Sequence, residues 1–175
     1  NLSAGKSVEG IPNIRTRNGA TPIRDVVPDL DALPFPNYNL FYDNISVMGN
    51  SPVKSIMTSR GCAYNCTYCF NARWKAMYEG HGQIIRRHSV DYVMEEIRMV
   101  RNGWPLSCVK FYDDVFVYRV DDWLEEFCRK YKKQVGLPFF ILTRYDLITE
   151  EMLKLLKEAG CRTISMSIEA GSPET

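Results

Sequence analysis

The 175-residue chain predicts an α/β fold: a partial (β/α) barrel truncated after about four strands. Three observations carry that expectation. From about Val53, short apolar runs alternate with amphipathic stretches in the order strand, helix, strand, helix, strand, helix, strand. That order is the signature of a parallel sheet with helices outside, and four strands are too few to close a barrel. The last run places Ile164, Met166 and Ile168 on one face and Thr163, Ser165, Ser167 and Glu169 on the other. A strand buried in a doubly wound sheet is apolar on both faces, so a polar second face favours an open barrel with a wet inner side.

The elements follow in order. Residues 1 to about 50 are punctuated by turn formers (Gly10, Pro12, Asn18-Gly19, Pro22, Pro28, Pro34, Pro36) and carry little periodicity. Asn18-Gly19 predicts a small hairpin, and the rest reads as an extended leader lying against something. It is too apolar for a free tether (Val26, Val27, Leu30, Leu33, Phe35), and its natural neighbour would be an upstream domain. Val53 to Thr58 is a strand running into a cysteine cluster. Ser89 caps a helix to Asn102, with Val90, Val93, Met94, Ile97 and Val100 on one face and Gly103 as the stop. Cys108 to Tyr112 is a strand, Asp121 to Gln134 a helix, and Phe139 to Thr143 a strand. Thr149 caps a third helix that begins with Glu150 and Glu151, at the positive end of the dipole, and ends at Gly160. Asn1 at the start, and the close at Ser172-Pro173-Glu174-Thr175 without a final element, predict a piece of a longer protein.

Hydrophobic content of 45% and charged content of 25% are those of a globular protein. A net charge of +1 gives no electrostatic reason to expect nucleic acid as a partner. No apolar run approaches a membrane span, and nothing at the start resembles a signal peptide. Three of the 6 cysteines crowd into one stretch, which favours a metal or cluster site in a reducing compartment and hence the cytoplasm. Cys108, Cys128 and Cys161 are dispersed and read as core residues.

The crowded stretch is Ser59-Arg60-Gly61-Cys62-Ala63-Tyr64-Asn65-Cys66-Thr67-Tyr68-Cys69-Phe70-Asn71. Three thiolates spaced C-x3-C-x2-C can wrap one small metal centre from a single loop. A closed zinc site needs a fourth ligand, for which His81 and His88 are the available imidazoles. The motif follows the first strand of the strand–helix series, where such sheets bind ligands.

This spacing, with Tyr68 just before the last cysteine and the motif after strand one of a partial barrel, resembles the radical S-adenosylmethionine (SAM) superfamily, whose core is a TIM-barrel-like domain. The resemblance implies that Cys62, Cys66 and Cys69 bind three irons of a [4Fe-4S] cluster. The fourth iron is chelated by SAM, which is cleaved reductively to a 5′-deoxyadenosyl radical. An electron donor such as flavodoxin or ferredoxin and a small-molecule substrate are implied with it. By the same analogy Tyr68 lies near the adenine, or packs the loop. Asp113 or Asp114, at the end of strand two, meets the SAM ammonium while the other caps a turn. Ser167 and Glu169 contact SAM from strand four, and Arg144 pairs with the SAM carboxylate or with Asp146.

Residues 1–50, with Gly10-Ile11-Pro12-Asn13 and Leu33-Pro34-Phe35-Pro36, and the stretch Phe111 to Phe116 are similar to the subfamily with an N-terminal cobalamin-binding domain. That implies a leader from a missing upstream domain over 1–50 and the N-terminal part of the radical SAM core over 51–175. It also implies a cobalamin-dependent methyltransferase or related enzyme. A cobalamin-independent member such as a methylthiotransferase, and a non-catalytic zinc-binding interaction module, are the alternatives.

Overall fold

The structure is a computed structural model, and it describes residues 10–17 and 19–167. Its centre is a four-stranded parallel sheet in the order β3-β6-β7-β8. The strands are β3 (Val53–Ile56), β6 (Cys108–Phe111), β7 (Phe139–Leu142) and β8 (Cys161–Ser165). Each is added beside its predecessor on the same side, so the order never reverses as a doubly wound sheet requires. The connecting helices α4 (Val90–Gly103), α5 (Asp122–Gln134) and α6 (Glu150–Ala159) share one face of the sheet. A sheet wound in one direction with helices on one face is part of a barrel, as the polar face of the last strand led us to expect.

Local signals account for the helices. Ser89 accepts a hydrogen bond from the Tyr92 amide, Asp121 from Leu124 and Thr149 from Met152, so each start has its side-chain cap. Gly160 ends α6 at φ 109°, where an L side chain is strained and a Cβ would sit 3.2 Å from the Leu137 carbonyl oxygen. Gly103 does not stop α4 as expected. It is the last helical residue, and the chain turns extended at Trp104, whose amide bonds Val100.

The core lies between the sheet and these helices. Ile56, Val109, Phe111, Phe139 and Ile141 project from the strands against Val93, Ile97, Leu124, Phe127, Tyr131, Met152 and Leu156. Phe111 is its hub, with the rings of Phe116, Phe127, Tyr131 and Phe139 all within 6.1 Å of its centroid. Cys108, Cys128 and Cys161 are free thiols, and burial pushes Cys128 up to about 12 and Cys161 up to about 11. Lys54 is also fully buried on this face of β3. Its ammonium donates to the Met48 and Gly49 carbonyls (2.6 and 2.8 Å) and lies over the Tyr42 ring, so its charge is solvated by the end of α2 (Ser46–Asn50).

The leader packs against the barrel domain rather than standing off it. Leu30 is buried, Asp31 accepts from the Ser89 amide and pairs with His88, and Val26 donates to the His81 carbonyl. Tyr38, beside α1 (Asn39–Tyr42), donates to Glu96 on α4. In the small hairpin of β1 (Arg15–Thr16) and β2 (Gly19–Ala20), Thr16 pairs with Gly19. That register places Gly19 in a strand and not in the turn, one residue off the expected position, while Asn18 lies outside the described residues. Three short elements around the cysteines went unforeseen: β4 (Ser59–Arg60), its antiparallel partner β5 (Arg86–Arg87), and α3 (Phe70–Met77).

Two outcomes are expected. Phe111→Ala removes the hub ring and lowers the unfolding free energy by about 3–5 kcal/mol in chemical denaturation. Glu96 is buried with one oxygen unpartnered among the described residues, and burial lifts its carboxyl from about 4.5 to about 7. A raised carboxyl stabilises the fold below its ordinary pKa and loses that contribution as pH rises through the folded value. Glu96→Gln therefore matches wild type below about pH 4.5, gains on it progressively from there to about pH 7, and keeps a constant advantage above that, read as the unfolding midpoint at each pH.

Candidate functional site

The cysteine loop sits at the carboxyl ends of the parallel strands, and a buried carboxylate founds it. Asp113, two residues beyond β6, is 1% exposed. Its Oδ1 accepts from the Thr58 hydroxyl at 3.0 Å and from the Ser59 hydroxyl at 2.5 Å. Burial raises the Asp113 pKa, and the hydroxyl and amide bonds from Ser59 and Thr58 pull against that rise. Its Oδ2 is buried and has no partner among the described residues. Asp114, next in sequence, is exposed. The structure thus separates the two candidate acids: one is a buried acceptor under the loop, the other a surface group.

From Ser59 the chain passes through Gly61 at φ 88° into Cys62. A Cβ at Gly61 would lie 2.5 Å from the Ile84 carbonyl oxygen, so both the backbone conformation and the space demand glycine. Beyond it the loop is fastened from three sides. Lys75 on α3 donates to the Ala63 and Tyr64 carbonyls (3.1 and 2.6 Å). Tyr118, from the segment after β6, accepts from the Ala63 amide at 3.2 Å and stacks on Tyr64. Arg144 lays its guanidinium 3.8 Å from the centre of the Tyr64 ring and makes a two-pronged bond to Asp146 (2.9 and 2.8 Å). The Asp146 pairing is therefore the observed one for Arg144, and its second contact is to the cysteine loop.

Cys62 is buried, Cys66 and Cys69 are half-buried, and all three are free thiols. Asn71 reaches the Cys69 sulfur at 3.7 Å. Among the described residues no three His, Cys, Asp or Glu side chains stand close enough together to hold one ion. The donor set nevertheless has the chemistry a three-ligand cluster needs: three reduced thiols on one loop of eight residues. The imidazoles suggested for a fourth ligand are engaged elsewhere, His81 with Asp25 at 3.1 Å and His88 with Asp31 at 2.9 Å. Tyr68 is exposed on the loop and Ser167 is exposed past β8. Glu169 lies outside the described residues. Thr58, Ser59, Lys75 and Tyr118 were not anticipated; Ser59 alone adjoined a recognisable motif.

Comparison with known proteins decides the family. The model of the radical SAM superfamily matches residues 56–175. The chain belongs to the radical SAM superfamily. It is 28% identical over 181 residues to an uncharacterized methyltransferase of Pyrococcus horikoshii, covering 98% of this chain and 37% of that protein. It is 30% identical to the cytidylyl-2-hydroxyethylphosphonate methyltransferase of Streptomyces wedmorensis, over 87% of this chain and 29% of that protein. It thus spans about a third of its curated relatives. Among solved structures it resembles the radical SAM methyltransferase TsrM of Kitasatospora setae, with a TM-score of 0.67 and 19% identity, over 99% of this chain and 35% of that one. The likeness extends to the fold, a partial TIM-barrel-like domain. Membership of the superfamily implies a [4Fe-4S] cluster and SAM as cofactors.

Gly61→Ala is expected to lower the thermal midpoint by an amount equivalent to about 1–3 kcal/mol, the usual cost of a strained backbone site. Gly103→Ala, a helical position with open space around it, is expected to be neutral or slightly stabilising in the same measurement.

Proposed function

We propose that this chain is the cluster-bearing part of a radical SAM methyltransferase, with Cys62, Cys66 and Cys69 as the three protein ligands of the [4Fe-4S] centre. The observation that carries the proposal is the unpaired C-x3-C-x2-C loop braced at the carboxyl end of the first barrel strand. Bound there, the cluster supplies the electron that breaks a carbon–sulfur bond of SAM.

The chain's own residues hold and orient. Asp113 fixes the start of the loop through Thr58 and Ser59, and Lys75 and Tyr118 fix its middle. The unpartnered Asp113 Oδ2 is the acceptor we assign to the SAM ammonium, which would satisfy a buried oxygen that otherwise stays unpaired. Tyr68 contributes apolar surface beside the adenine, and Ser167 and Glu169 contribute polar groups from the last strand. Transfer of a methyl group is supported by the names of the relatives. Cobalamin is supported by its presence in a TsrM structure, and its place would be a domain joined through the leader. A flavodoxin- or ferredoxin-type protein is the proposed electron source. No helix among the described residues is long and apolar enough to cross a membrane.

Anaerobic reconstitution of the full-length protein with iron and sulfide tests the assignment. A brown protein with [4Fe-4S] absorbance, releasing 5′-deoxyadenosine from SAM on reduction, is expected. Replacement of Cys62, Cys66 or Cys69 by Ala abolishes that release, whereas Cys128→Ala retains it. A colourless protein holding one tight zinc ion would refute the reading. Asp113→Asn is expected to weaken SAM binding in equilibrium dialysis, and Asp114→Asn to leave it unchanged.

A further inference from the structure

The sheet has two faces, and only one is used by the core. On the other, the register aligns Ser55, Lys110, Phe140 and Thr163 in one row across all four strands. Ile56, Val109, Phe111, Phe139 and Ile141 face the helices, so this row is the inner face of the partial barrel. The row is largely polar, and Lys110 is its one charged member.

Lys110 differs from the other strand lysine in what surrounds its charge. Lys54 is satisfied by two carbonyls. The Lys110 ammonium lies 4.3 Å from the centre of the Tyr112 ring and 4.8 Å from that of Phe140, and among the described residues it has no carboxylate or carbonyl partner. Ring faces steady a cation but take none of its three N–H donors, which the half-buried side chain keeps open to solvent or to a ligand. Tyr112 is the residue just beyond β6, so the lysine arm that reaches its ring extends towards the carboxyl end of the sheet, where Asp113 supports the cysteine loop. Asp113 does not serve as its counter-ion, because it is buried and continues the alternation of Val109 and Phe111, away from the face that carries Lys110. The flanking hydroxyls of Ser55 and Thr163 are exposed on the same row and add further donors.

We infer that Lys110 is the anion-binding group of the inner face, receiving the phosphonate, phosphate or carboxylate of an acidic acceptor substrate. This rests on the radical SAM assignment above. The cation, the two rings and the hydroxyls make a subsite that a neutral acceptor would leave with an uncompensated charge. SAM itself carries a carboxylate, so the two sources of the same chemistry must be told apart.

The test uses the full-length reconstituted protein, wild type and the variants Lys110→Met and Lys110→Arg. Two affinities are measured: that of SAM by equilibrium dialysis, and that of methylphosphonate for the SAM-loaded protein by its phosphorus NMR line width. Lys110→Met is expected to weaken methylphosphonate roughly tenfold, the scale of one lost charge-assisted contact, with Lys110→Arg within about threefold of wild type. SAM affinity and cluster absorbance stay unchanged. Loss of SAM affinity with methylphosphonate unaffected would assign Lys110 to the cofactor and overturn the inference. No change in either ligand, or no saturable methylphosphonate binding by wild type, would also overturn it. Failure of the underlying assignment shows separately, as a wild-type protein without cluster absorbance or SAM cleavage.

Discussion

The buried carboxylate of Asp113 is the constraint on which the site depends. It ties the strand that ends in the cysteine motif to the strand beside it, through two hydroxyls and the adjoining amides. A carboxylate taken out of water is costly unless it is bonded, and one removed from its partners costs more than the bonds themselves contribute. The carboxylate therefore holds β3 and β6 in one register at the end that carries the cysteine motif. The glycine at position 61, the lysine of α3 and the phenol of Tyr118 then shape a loop whose origin is already fixed.

The leader extends this economy to the outer side of the barrel. It closes over the start of α4 with Asp31 on His88 and Ser89, and over its middle with Tyr38 on Glu96. His88 also donates its amide to Thr58, so the leader and the cysteine loop meet at one helix terminus. Stacking of His88 on Tyr92, at 4.0 Å between centroids, makes that junction a packed one. The segment that reads as a linker in the sequence is thus part of the wall behind the site.

Much of this was legible because its causes are local. Caps, apolar periodicity and a terminal glycine located α4, α5 and α6 to within a residue or so, and the alternation of elements defined the parallel sheet. The polar face of the last strand pointed to a barrel, although the stronger reason, a strand order that never reverses, exists only in three dimensions. Reading that Asp113 is buried and Asp114 exposed needed one more step. Val109 and Phe111 face the core, and Asp113 continues their alternation whereas Asp114 does not. The parity was present in the sequence without a reason to trust it past the strand end. Lys54 and Lys110 could not be told apart, because both sit in strands and only the packing of Tyr42, Tyr112 and Phe140 distinguishes them.

The bracing of the cysteine loop has a bearing on biosynthesis. Its hydroxyl, carboxylate, lysine and phenol supports all lie between Thr58 and Tyr118, closing over separations of 54 to 55 residues at most. Contacts of modest sequence separation form early, and domains mature from the amino-terminal side as they leave the ribosome. The loop can therefore take its shape when only two barrel strands have emerged, before the strands that would complete the interior exist. The Arg144 contact to the Tyr64 ring, which comes from beyond the third strand, is then added to a loop already held at its origin and its middle.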